Sequence, residues 1–100
     1  MVSKRIDWGR RAFDQFESAL RYIAIISPQN AEKVRLDVII EIEKIAGHPE
    51  LHPPDKFKLN NDSSKFRAFE KHRLRVAYYV GDDHIRILRV RHTSREPKNY

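Results

Sequence analysis

Val2 to Ile6 alternate apolar and polar residues, the period of a half-buried strand. Phe13, Phe16, Leu20 and Ile23 then recur at helical spacing, with Ala12, Ala19 and Ile26 widening the apolar stripe. Asp7 or Gly9 opens this helix. Ser27-Pro28 ends it and begins another, with Ser27 as N-cap and Pro28 at the first helical position. Val34, Val38, Ile42 and Ile45, flanked by Ile39 and Ala46, form the second stripe. Gly47 supplies its C-cap and Pro49 forbids continuation. So short a link between two striped helices predicts an antiparallel helix hairpin.

Residues 48–64 show no period and predict a long irregular loop, which in a small protein is usually functional or mobile. Three strands follow, at Lys65–Lys71, Arg73–Val80 and His84–His92. Gly81-Asp82-Asp83 reads as a three-residue hairpin loop between the last two, a register that pairs Val76 with Leu88 and Leu74 with Val90. Arg73, Arg75, Arg89 and Arg91 then share the opposite face. A two-residue loop would instead set Arg89 and Arg91 among apolar side chains, where burying a charge costs several kcal/mol. Lys65, Arg67, Phe69 and Lys71 have one parity and are expected to extend the same basic face, and Arg95 continues that of Arg89 and Arg91. The resulting plan is α+β, in the order β-α-α-β-β-β. The helix hairpin covers one face of a small, mainly antiparallel sheet and cations line the other.

One hundred residues, 40% of them hydrophobic with 3 Gly and 5 Pro, predict one globular domain over 1–100. No stretch approaches the roughly 20 apolar residues of a membrane span, no apolar leader is seen, and cysteine is absent, so a cytoplasmic protein is expected. The net charge of +6 changes the picture more, because it is unevenly placed. Residues 1–50 carry 8 basic and 8 acidic side chains, whereas residues 51–100 carry 12 and 6. An excess confined to the strand-forming half points to a partner bearing phosphates or carboxylates. A sheet that merely faces solvent also carries edge cations. Arginine forks on one surface suit phosphate oxygens and charge developing on them. Phe69 and Tyr79, if on that surface, offer rings for stacking bases. His48 and His52 flank Pro49 without a matching ligand pair, so no metal site is expected, and no cofactor. His92 either exchanges protons near neutral pH or hydrogen-bonds backbone to fix the tail.

The stretch from Phe66 to Pro97 resembles the C-terminal half of toxins of the RelE/ParE superfamily. Those chains run from an arginine through a segment like Tyr-Arg-Val-Val-Tyr, an acidic turn and an apolar strand to His-x-x-Arg-Asp/Glu-Pro. Arg67, Arg75, Tyr78, Asp82, Ile87, Val90, His92, Arg95 and Pro97 stand at the matching places. A strand ending near Trp8 and a helix hairpin after it extend the resemblance over nearly the whole chain. It implies the toxin of a type II toxin–antitoxin pair, a growth inhibitor tied to plasmid stabilisation, whose partner is a cognate antitoxin. It leaves two targets. RelE-like members are metal-independent mRNA interferases that cut within the ribosome. That likeness assigns Arg75 and Arg95 to the scissile phosphate and Lys65 or Tyr100 to proton transfer, although the helix that usually carries the tyrosine is absent here. ParE-like members inhibit DNA gyrase and need no nuclease residues. The closing His92-Thr-Ser-Arg-Glu-Pro is similar to that branch, and Thr93-Ser94 replaces the His-Tyr pair of another nuclease branch. The gyrase inhibitor is therefore the expected function. Arg67, Arg73, Arg89, Arg91 and His92 are its expected target-binding or nucleic-acid-binding residues.

Overall fold

A computed structural model describes residues 3–94 and 98–100. Its elements run β1 (Arg5–Trp8), α1 (Arg10–Ile26), α2 (Pro28–Gly47), β2 (Phe66–Lys71), β3 (Leu74–Val80) and β4 (His84–His92). The sheet order is β1-β4-β3-β2; β1 lies parallel to β4 and the other pairs are antiparallel. This is the expected plan: two helices on a four-stranded mixed sheet. The first strand runs over Arg5–Trp8, later than the alternation at residues 2–6 suggested, and its Ile6 and Trp8 pack on the core; residues 1 and 2 lie outside the described residues.

The core lies between sheet and helices. Ala12, Phe16 and Leu20 of α1 and Val34, Val38, Ile42 and Ile45 of α2 meet Phe69, Leu74, Val76, Tyr78, Ile85, Ile87 and Val90. Phe13 falls at the edge of its stripe and is 47% exposed, its ring set perpendicular to that of Trp8 with centres 6.2 Å apart. Glu17 takes two hydrogen bonds from Arg35, at 2.7 and 3.1 Å, which clamp the two helices together. Ser27 caps α2 as its sequence promised, accepting from the Asn30 amide at 3.1 Å with Pro28 next in line. Ser27→Ala is expected to cost about 1 kcal/mol, read as a lowered urea midpoint at unchanged slope.

Two registers differ from expectation. The three-residue loop does not form: the Gly81 amide donates to His84 O at 2.8 Å, and Val80 pairs with Ile85 and Tyr78 with Ile87, one residue further along β4 than expected. Ala77 then pairs with Arg89 and Val76 with Val90, so Leu88 is a bulge that adds a second shift. The bulge shifts the apolar parity from Ile85 and Ile87 to Val90, and so keeps all three in the core. The Val90 amide is taken up by the Gln15 side chain of α1, at 2.8 Å. The second difference is in β2. His72 and Arg73, with φ of 51° and 64°, make a two-residue turn that pairs Lys71 with Leu74. Left-handed backbone at both central positions suits the right-handed twist of a hairpin. It sets Arg67, Phe69 and Lys71 on the face of Tyr78, Val76 and Leu74, the face toward the helices. Arg67 and Phe69 therefore do not extend the basic face: Phe69 is core, and its ring stacks on His52 instead of a base.

Candidate functional site

The face away from the helices is built from Glu70 and Phe66 of β2, Arg75 and Tyr79 of β3, and Arg86, Arg89 and Arg91 of β4. Arg75 stands directly opposite Arg91, and Arg89 opposite Ala77. Ala68 and Ala77 belong to this face yet are buried. Part of the long loop and the tail lie on this face, with Arg75 stacked on Phe57 (4.8 Å) and Arg89 on Tyr100 (3.9 Å).

Asp55 organises this cover. It is 2% exposed, and both of its carboxylate oxygens are used. Arg75 Nη2 donates to Oδ1 at 2.8 Å, the Phe57 amide donates to Oδ1 at 3.0 Å, and Tyr100 Oη donates to Oδ2 at 2.7 Å. The Asp55 amide donates to Phe66 O at 2.8 Å, tying the loop to β2. Burial by itself would raise the Asp55 pKa. The bonds from Tyr100, Arg75 and the amide outweigh it and hold the carboxyl below its usual range. Burial likewise works against the Arg75 cation, and Asp55 and Glu70 more than restore it. Arg75 Nη1 donates to Glu70 at 2.9 Å, while its buried Nε finds no partner among the described residues. The Tyr100 hydroxyl is pushed well above the ordinary phenol range, first by burial and then by its bond to Asp55.

The residues expected to act together are thus brought together only in part. Arg75, Arg89, Arg91, His92 and Tyr100 converge on one surface, joined by Lys56, Phe57 and Thr93 from outside the expected set. His92 Nδ1 accepts from the Ser94 amide at 3.2 Å, which fixes the chain after β4. Lys65 is exposed just ahead of β2. Arg67 donates to the His52 carbonyl at 2.7 Å on the helix side, and Arg73 lies in the β2–β3 turn. Arg95 lies outside the described residues. Asp55, the centre of the arrangement, was not anticipated. Its one sequence signal is the turn-forming spacing to Phe57, in which an aspartate side chain accepts from the amide two residues on. Among the described residues no group of three potential ligands is placed to hold a metal, and no helix is long and apolar enough to cross a membrane.

A helix hairpin on a four-stranded mixed sheet in the order β-α-α-β-β-β, with arginines on the far face, defines the RelE/ParE class of fold. The family model described as "ParE toxin of type II toxin-antitoxin system, parDE" matches residues 6–97, and the chain belongs to that family. No curated protein matches the sequence. Among solved structures the chain is similar to one described as the chromosomal ParDE system from P. aeruginosa. That match has a TM-score of 0.69 and 18% identity, and covers 90% of this chain and 96% of the other. It is also similar to one from the RelBE2 toxin–antitoxin complex of Mycobacterium tuberculosis, with a TM-score of 0.57, 15% identity, and 91% and 99% covered. At these identities the two structures speak for the fold alone.

Proposed function

We propose that this chain, acting as one domain in the cytoplasm, is the toxin of a type II toxin–antitoxin pair. On this reading it arrests growth by inhibiting DNA gyrase, as its ParE kinship suggests, and a cognate antitoxin restrains it. The observation that carries the choice of target is the state of Arg75. Both of its terminal nitrogens are committed to carboxylates, Asp55 at 2.8 Å and Glu70 at 2.9 Å. A guanidinium so neutralised offers little to a scissile phosphate. Tyr100 is equally ill-suited to proton transfer, since its hydroxyl already donates to Asp55 and its pKa is raised by burial. An inhibitor that works by docking needs neither group free.

Induction of the chain in bacteria is expected to halt growth with gyrase-linked DNA breaks and with messenger RNA intact. Cut messenger RNA without such breaks would reverse the choice. In that event a folded Arg75→Ala protein should lose on the order of 10²–10³ in cleavage rate, the usual effect of removing one transition-state donor.

A further inference from the structure

The long loop changes sides of the sheet. His52 lies on the helix side, its ring stacked on Phe69 with centres 5.2 Å apart, whereas Asp55 meets Arg75 on the far side. Between them the chain rounds β2, an edge strand of the sheet. There Pro54 bridges Arg67, and the Asp55 amide donates to Phe66 O at 2.8 Å. Further on, the Asn61 side chain donates to Phe66 O at 2.8 Å and accepts from the Phe66 amide at 3.1 Å, which pins the later part of the loop to the same edge.

Two bonds fasten the helix-side end. Arg67 Nη1 donates to the His52 carbonyl at 2.7 Å, and the His52 imidazole donates through Nε2 to Glu41 Oε2 of α2 at 2.8 Å. A carboxylate only accepts, so the imidazole is the donor. The Glu41 side chain is 13% exposed and that of His52 24%, which leaves water little room to compete for the bond. Only Pro53 and Pro54 separate His52 from Asp55. Each proline ring locks its own φ and restricts the residue before it, so the linker is stiff where another dipeptide would give.

We propose that Glu41 and His52 anchor a strap: through the Pro53-Pro54 linker they position Asp55 from the opposite side of the sheet, and so decide whether Asp55 stays on Arg75. Loss of the anchor slackens the chain from His52 to Phe57, while Asn61 keeps the rest of the loop in place. The bonds that Arg75 and Tyr100 make to Asp55 are then governed by α2, although Glu41 lies across the sheet from both. Whatever draws Glu41 away from His52 acts on Arg75 without reaching its face. The strap goes beyond the choice of target and holds for either one.

Hydrogen exchange of the full chain, followed amide by amide by NMR, tests the strap. The Phe57 amide, bonded to Asp55 Oδ1 at 3.0 Å, reports whether Asp55 is in place. The Gly9 amide, bonded to Ile87 O at 2.9 Å, reports opening of the fold as a whole. In Glu41→Met, which keeps the length of the side chain and loses the acceptor, the Phe57 amide should exchange about tenfold faster or more, with Gly9 unchanged. Glu41→Gln, whose oxygen still accepts from the imidazole, should stay within about threefold of the parent. Should Glu41→Met not fold, His52→Phe keeps the ring on Phe69, removes the donor and carries the same expectation. With Pro53 and Pro54 both replaced by glycine, Phe57 should already exchange fast and Glu41→Met should add little. Unchanged exchange at Phe57 in the folded variant would overturn the anchor, and so would equal acceleration at Phe57 and Gly9. Glu41→Gln behaving like Glu41→Met would show that the hydrogen bond is not what holds the loop. A full Glu41→Met effect in the glycine background would overturn transmission through the prolines.

Discussion

Asp55→Ala is expected to lower the unfolding free energy by about 3–5 kcal/mol, the scale for removing one member of a buried ion pair. The side chain is fully buried against an Arg75 that is only 16% exposed, so the arginine left behind is neither solvated nor neutralised on that side. The Tyr100 hydroxyl and the Phe57 amide lose their acceptor in the same stroke. Urea denaturation checks this. A loss under about 1 kcal/mol, within the range of an exposed pair, would mean that water enters the site and that Asp55 is no keystone. The same carboxylate gives the acid limb of stability a definite sign. Its folded pKa lies below its unfolded value of about 3.9, so its contribution is present in full above that value and is lost as pH falls through the folded one. Glu17 and Asp37, depressed by bonds from Arg35 and His72, act in the same sense. The Asp55→Ala protein should therefore lose less stability than the parent on acidification below about pH 4, without becoming insensitive to it.

Phe16→Ala is expected to cost a comparable amount, about 3–5 kcal/mol. Phe16 is 2% exposed, and its ring lies nearly parallel to that of Trp8 with centres 5.4 Å apart. It touches β1 through Trp8, so the cavity opens where the helices meet the shortest strand. Trp8 is the only tryptophan, which makes its fluorescence a local reporter. Loss of Phe16 should move its emission to the red before global unfolding begins. An unshifted emission would show that α1 collapses onto Trp8 and fills the space, and the stability loss should then shrink with it.

The helices were legible because their apolar stripes are long and their boundary, Ser27-Pro28, combines a cap with a proline at the first turn. β4 was legible to the residue, from His84 to His92. What escaped is instructive about where periodicity fails. A side-chain period of two is only as good as the count of residues between strands. Here one count goes wrong in β4, by one residue at the Gly81–His84 connection and by another at the Leu88 bulge, and the other in a His72-Arg73 turn without the usual glycine or asparagine. The turn moved Arg67 and Phe69 to the other face and the shifts in β4 changed which residues pair with β3, while Arg75, Arg89 and Arg91 stayed together as foreseen. Asp55 escaped for a different reason. Its partners Arg75 and Tyr100 are 20 and 45 residues away, and no local pattern marks a loop aspartate that will be buried by a tail. Tyr100 drew notice for its place in the chain and proved to be a ligand of that aspartate.

The parallel pairing of β1 with β4 joins Arg5–Trp8 to residues at the far end of the hairpin, and Lys4 reaches 77 residues ahead to the Gly81 carbonyl. During synthesis the helix hairpin leaves the ribosome early and can form from neighbouring residues, but β1 has no partner until β4 emerges. Contacts so distant in sequence slow folding, because the closure of a long loop precedes any gain from them. The arginine face is assembled by β3 and β4, so it too is among the last surfaces made. On the proposed function, a nascent chain gains its acting surface only near the end of its translation.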